Sequence, residues 1–191
     1  MTKGYSLRNI ILMVLISVIC GVIFLGVGYV RDDLLITFSL VISTKQFSFF
    51  PTANAIAQGP WILGAALVGN LFRTPGSAVF GQAVSSVFEC FTGGVSGIRG
   101  MLSGILEGFG SEVGFACYRY HDYTWVTFVI TSFLTDLITF AYDVVTKGYY
   151  QFSWASVIVA FIVQFLSIFV FSYYLNRGIY SLLKRSHVLS K

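Results

Sequence analysis

Residues Asn70 to Tyr120 read NLFRTPGSAVFGQAVSSVFECFTGGVSGIRGMLSGILEGFGSEVGFACYRY. The stretch is apolar enough for a membrane, yet it holds Gln82, Glu89, Glu107 and Glu112 and is dense in glycine. A carboxylate inside a membrane helix is costly and calls for a partner, a wet cavity or a ligand. A tight turn at Arg73–Gly76, with Pro75 at the first helical position and Thr74 as cap, starts one helix over about 75–91. A glycine-rich loop at 92–99 leads into another over about 100–118. Gly100, Gly104, Gly108 and Gly110 would weaken that helix in water, but between membrane helices they let backbones approach closely.

Working outward from this pair, the rest of the chain is more apolar still. The 191 residues are 56% hydrophobic and 10% charged, where a soluble domain carries about 25% charged residues. The expected class is an all-α integral membrane protein forming a single transmembrane substrate-binding domain over residues 1–191. Its six membrane helices are expected at about 7–30, 47–72, 75–91, 100–118, 124–146 and 152–175. The uncharged run 9–30 is too long for a signal-peptide core of about 7–15 residues. Pro51, Gly59 and Pro60 predict a kink in the second helix near 58–60. The connection at 31–46 is broken by charge and reads as a partly helical, partly extended lid between helices 1 and 2. Six passes put both termini on one side. Basic residues favour the cytoplasmic side for them, since 8 of the 12 Lys and Arg then lie inside.

With that topology, adjacent helices run in opposite directions and one outer layer collects Glu89, Glu107, Asp143, Trp154 and Trp61. Gln82 and Glu89 are seven residues apart on one helical stripe, as are Asp136 and Asp143. Two such stripes facing each other make a polar cleft open to the outside. Glu107 and Glu112 are five apart and point differently, so Glu112 is expected to serve structure. Carboxylates, an amide and aromatic rings without an intramembrane Lys or Arg favour an organic cation, because aromatic faces add cation–π attraction. Each residue also has a plainer reading. The carboxylates can be solvated or hydrogen-bonded packing groups, Gln82 can bridge helices, and Trp61 and Trp154 can be interfacial belt or packing aromatics.

Enzyme chemistry finds little support. His121 and His187 are the only histidines, one in a loop and one in the basic tail, and no metalloprotease, nucleophile-elbow or phosphate-loop motif is present. Cys20, Cys90 and Cys117 have no metal or disulfide spacing and read as small buried core residues. Ser17 and Gly21 in helix 1 have small-residue spacing, which suits packing inside this chain or docking on a partner.

The run RTPGSAVFGQAVSSVFECFTGG, the GILEGFGSEVGFACYRY stretch and the pattern Tyr142, Asp143, Tyr149, Tyr150 resemble the YkoE-type substrate-binding S components of energy-coupling-factor (ECF) transporters. The likeness runs along essentially the whole chain. It departs at two positions, with Gln82 where that pattern has an acidic residue and Glu107 where it has an amide. The resemblance implies a six-helix membrane protein of the bacterial cell membrane that captures thiamine or its hydroxymethylpyrimidine precursor from outside. It implies two partners, a transmembrane coupling subunit and an ATPase with two nucleotide-binding halves, and no cofactor. Glu89 or Glu107 would then accept from the aminopyrimidine, and Asp143 would offset the thiazolium charge. Trp61, Trp154 and a tyrosine (Tyr142 or Tyr150) would sandwich the rings, Gln82 would fix orientation, and Phe47, Phe49 and Phe50 would close over the site. An S component for another vitamin, a self-sufficient secondary transporter and a membrane scaffold stand as alternatives.

Overall fold

Long runs of Leu, Ile, Val and Phe without Gly–Pro punctuation leave the chain one way to satisfy its backbone in lipid, which is helix. The computed structural model describes residues 6–42, 48–94, 97–121 and 123–185. Within these residues the helices are α1 (Leu7–Ile42), α2 (Phe50–Trp61), α3 (Leu63–Phe72), α4 (Ser77–Phe91), α5 (Gly97–Cys117), α6 (Trp125–Thr146), α7 (Trp154–Val170) and α8 (Asn176–Arg185). A 3-10 turn lies at Tyr149–Gln151, and a π-helical turn at Phe171–Leu175 joins α7 to α8. The pairs α2–α3 and α7–α8 each form one pass, giving six in all. Leu7–Asp33, Phe50–Phe72, Trp125–Thr146 and Trp154–Ile179 are long and apolar enough to cross a membrane. The other two passes, α4 and α5, are the ones that carry Glu89, Glu107 and Glu112.

The first helix does not stop near residue 30. It runs 36 residues, about 54 Å at 1.5 Å per residue, against a hydrocarbon core of about 30 Å. No Gly or Pro interrupts 31–42, and Arg31 neutralises Asp32 through Nε and Nη2 at 2.9 and 2.7 Å. The expected lid is therefore helix over 31–42. Residues 43–47, including Phe47, lie outside the described residues.

The kink in the second pass falls at Ile62, two residues beyond Pro60. Proline lacks an N–H, so Pro60 leaves the carbonyl of Ile56 without its helical partner. The Ser167 hydroxyl on α7 donates to that carbonyl at 2.7 Å. At the kink itself the Trp61 carbonyl and Ala65 N–H, a normal i to i+4 pair, are separated. The Gln82 side chain bridges them, its Oε1 accepting from Ala65 N–H at 2.8 Å and its Nε2 donating to Trp61 O at 2.6 Å.

Glycine sets the spacing around α5. A Cβ on Gly108 would meet Val79 Cα at 2.9 Å on α4, and one on Gly114 would meet Thr131 Cα at 2.5 Å on α6. α5 thus lies against both neighbours through different glycine faces. Ser17 and Gly21 resolve in the same way. The Ser85 hydroxyl donates to Ser17 O at 2.9 Å, and a Cβ on Gly21 would meet Ser85 O at 2.9 Å. This small-residue face packs α1 on α4 inside the chain. Of the cysteines only Cys20 is buried, while Cys90 is half-buried and Cys117 exposed at the end of α5.

The turn before α4 is capped differently from expectation. Thr74 Oγ1 makes no hydrogen bond, and Gly76 (φ +86°) precedes the helix. Glu112, reaching from α5, accepts from Gly76 N–H at 2.6 Å through Oε1 and from Ala78 N–H at 2.9 Å through Oε2. The Tyr120 hydroxyl donates to the same Oε1 at 2.5 Å. A carboxylate here satisfies free N–H groups and complements the helix dipole. Glu112 is a structural clamp at the start of α4.

Candidate ligand-binding site

At the opposite end, α1, α2, α4, α5 and α6 surround a cavity of about 330 Å³, within the range of about 300–1,000 Å³ typical of small-molecule sites. It is lined by Arg31 and Asp32 of α1, Phe50, Asn54, Gln58 and Trp61 of α2, and Ser86 and Glu89 of α4. Arg99, Gly100, Ser103 and Glu107 of α5 and Tyr142, Asp143 and Thr146 of α6 complete the wall with Lys147. Each helix delivers its residues by periodicity. Asn54, Gln58 and Trp61 share a face of α2, as do Ser103 and Glu107 on α5.

Glu107 is the most fully engaged carboxylate on this wall. Its Oε1 accepts from Gln58 Nε2 at 2.6 Å and from the Ser103 hydroxyl at 2.9 Å. Its Oε2 accepts from Gln82 Nε2 at 2.6 Å. Glu89 is held on one side only. Trp61 Nε1 donates to its Oε2 at 3.1 Å, while its Oε1 has no partner although the residue is 3% exposed. Arg31 lies over the Trp61 ring, 5.0 Å from its centroid. Asp143 is buried and pairs with Lys147, Oδ2 to Nζ 2.8 Å.

Six of the nine residues expected at a site thus share this wall: Glu89, Glu107, Asp143, Trp61, Tyr142 and Phe50. Gln82 lies just behind it, bonded to Glu107 and to the helix break. Trp154 and Tyr150 stand elsewhere, 82% and 70% exposed. Trp154 opens α7 at the bundle's end, where an indole suits the membrane interface. Asp136 is buried below Asp143 with neither carboxylate oxygen partnered, and it does not line the cavity.

The sequence reading missed Asn54, Gln58, Ser103 and the three basic residues. Gln58 has a visible signal, an amide in an uncharged span, one turn from Asn54 and three residues from Trp61. Arg31, Arg99 and Lys147 fall in the expected connections between helices, where the wall is not expected. The structure puts them on the cavity itself, so its lining is not purely acidic and aromatic.

A six-pass helical bundle with a polar chamber at one end, built from buried amides and carboxylates, defines a membrane component with a cavity of small-molecule size. The chain belongs to the family described as "ABC-type cobalt transport system, permease component", whose model matches residues 8–138. It is a transport component rather than an enzyme. Among curated proteins it is similar to the "Putative HMP/thiamine permease protein YkoE" of Bacillus subtilis (strain 168), with 24% identity over 165 residues, 86% of this chain and 77% of that one. Among solved structures it is similar to one titled "Crystal structure of an S-component of ECF transporter", with TM-score 0.87 and 22% identity over 97% of this chain and 89% of the other. The fold is that of an S component.

Proposed function

We propose that the chain is the substrate-capturing S component of an ATP-driven importer and takes thiamine or its hydroxymethylpyrimidine precursor into the cavity. The observation that carries this reading is Glu89. Its Oε1 has no hydrogen-bond partner, its Oε2 accepts from the Trp61 indole, and the residue lines the cavity. An aminopyrimidine offers an N–H donor to such an oxygen and a flat ring to such an indole. Glu107 already has donors on both oxygens and serves better to hold Gln58 and Gln82 in place. The name of the Bacillus subtilis relative supports the vitamin class. A cobalt ion, the cargo in the family's description, suits this wall poorly. A metal ion is held by several His, Cys or carboxylate ligands together, and the described residues hold no group of three or more His, Cys, Asp or Glu placed for a metal.

The cavity end faces outside in this reading, and both termini are cytoplasmic. A transmembrane coupling subunit and an ATPase with two nucleotide-binding halves supply the drive. Titration calorimetry of the purified chain tests it. Thiamine is expected to bind at micromolar concentration or below, with Glu89→Gln weakening it about tenfold, the scale of one hydrogen bond to a charged group. Absence of thiamine and hydroxymethylpyrimidine binding up to about 1 mM, a free energy of only about 4 kcal/mol, would discard the reading.

A further inference from the structure

The charges on the cavity wall separate into satisfied and unsatisfied groups. Asp32 is paired with Arg31 at 2.7 Å and Asp143 with Lys147 at 2.8 Å. Glu89 and Glu107 are held by neutral donors, from Trp61, Gln58, Gln82 and Ser103. Arg99 lines the same cavity and has no ion pair or hydrogen bond to any described residue. Arg31 and Lys147 line the same cavity and keep N–H groups that their single carboxylate partners do not use. The chamber therefore offers two kinds of open group, an unpartnered carboxylate oxygen at Glu89 and unused cationic donors at Arg99, Arg31 and Lys147.

A free vitamin with a neutral hydroxyalkyl tail satisfies only the acceptor. We propose that the rim formed by Arg99, Arg31 and Lys147 is a subsite for a phosphate group, so that the chamber prefers the monophosphate ester of its heterocyclic ligand. Eight residues separate Arg99 from Glu107 on α5, about 12 Å along the helix axis, enough to lay a bicyclic ligand between rim and floor. Guanidinium suits the ester because its planar fork matches phosphate oxygens. A dianionic tail also meets the Arg99 charge where the mouth excludes part of the solvent, which strengthens the attraction. The inference rests on the proposed thiamine reading and extends it from the ring to the tail.

The test is calorimetric titration of the full chain in detergent with thiamine and with thiamine monophosphate, at low and at 0.5 M salt. The monophosphate is expected to bind at least tenfold more tightly at low salt, with the ratio shrinking as ions screen the rim. In Arg99→Gln the ratio is expected to fall to about one, and in Arg99→Lys to stay above that. Arg99 is exposed, so both variants should fold. If thiamine binds and its monophosphate binds equally or more weakly, the phosphate subsite is wrong and the vitamin reading stands. If Arg99→Gln leaves the ratio unchanged, the rim assignment is wrong. If neither compound binds, the vitamin reading fails and the subsite with it.

Discussion

Gln82 sits inside the backbone of the kinked helix pair by bonding Trp61: its Nε2 is 2.6 Å from the Trp61 carbonyl, and its Oε1 is 2.8 Å from the N–H of Ala65. One side-chain amide stands in for a missing helical bond. The same Nε2 also reaches Glu107 at 2.6 Å. The break that aims the Trp61 ring and the carboxylate on the floor thus share one residue. Gln82→Leu leaves a carbonyl and an N–H orphaned in the interior, at about 1–3 kcal/mol each. The apparent melting temperature in detergent is expected to fall by roughly 6–12 °C. A fall of under about 2 °C would mean the break closes by itself.

Gln82→Glu probes the same node differently. A carboxylate has no N–H for the Trp61 carbonyl, and it would face Glu107 across a hydrogen-bond distance. Both changes disfavour the native arrangement, like charges at short range costing several kcal/mol unless one takes up a proton. The variant is expected to melt well below wild type at pH 8 and to recover part of the loss at pH 5, where protonation supplies a donor. A melting difference independent of pH would rule out charge as its cause.

The all-helical class is legible in the sequence because lipid imposes it: long uncharged spans without strand-like alternation must be helical, whereas the splitting of two passes into α2–α3 and α7–α8 is not. Placing Glu89, Glu107, Trp61 and Asp143 at one level needed only alternating helix direction. Which way a ring or an amide turns needed packing. Trp154 has the same type and level as Trp61, but it opens a helix whose exposed face carries it outward. Arg31 hid in an apparent loop because charge density suggested a helix end, whereas Asp32 neutralises it and α1 continues. The Glu112 clamp joins residues 34 and 36 apart, a pairing no local pattern announces.

That clamp predicts its own loss. Glu112→Ala frees the N–H groups of Gly76 and Ala78 at the start of α4 and removes the acceptor of the Tyr120 hydroxyl. Loss of a helix cap costs about 0.5–2 kcal/mol. The expected signature is a lower melting temperature together with faster amide hydrogen exchange confined to 74–80. Uniform exchange across the bundle would show that Glu112 does more than cap.

Close helix approach through Gly114 is testable against a matched control. A methyl there would come within 2.5 Å of Thr131 Cα, a backbone atom that cannot swing aside, whereas at Gly26 nothing lies within 4 Å. Overpacking of this kind costs about 1–3 kcal/mol. Gly114→Ala is expected to lower the melting temperature by several degrees, and Gly26→Ala to leave it level or slightly raised, since Ala favours helix. Equal shifts in the two would deny the tight α5–α6 contact.

Pro60 and Ser167 offer a double-mutant cycle with a sharp sign. In the native chain the Ser167 hydroxyl satisfies the Ile56 carbonyl that Pro60 leaves free. Ser167→Ala should cost about 1 kcal/mol, the net worth of a typical hydrogen bond. In a Pro60→Ala background the residue 60 N–H can bond Ile56 O directly, so the same Ser167→Ala change should cost close to nothing. The coupling between the two, expected at about 1 kcal/mol for residues sharing a partner, would be read from thermal or denaturant unfolding of the four proteins. Additive effects would mean that the hydroxyl and the proline act on different parts of the helix, and the repair of the proline gap from α7 would have to be abandoned.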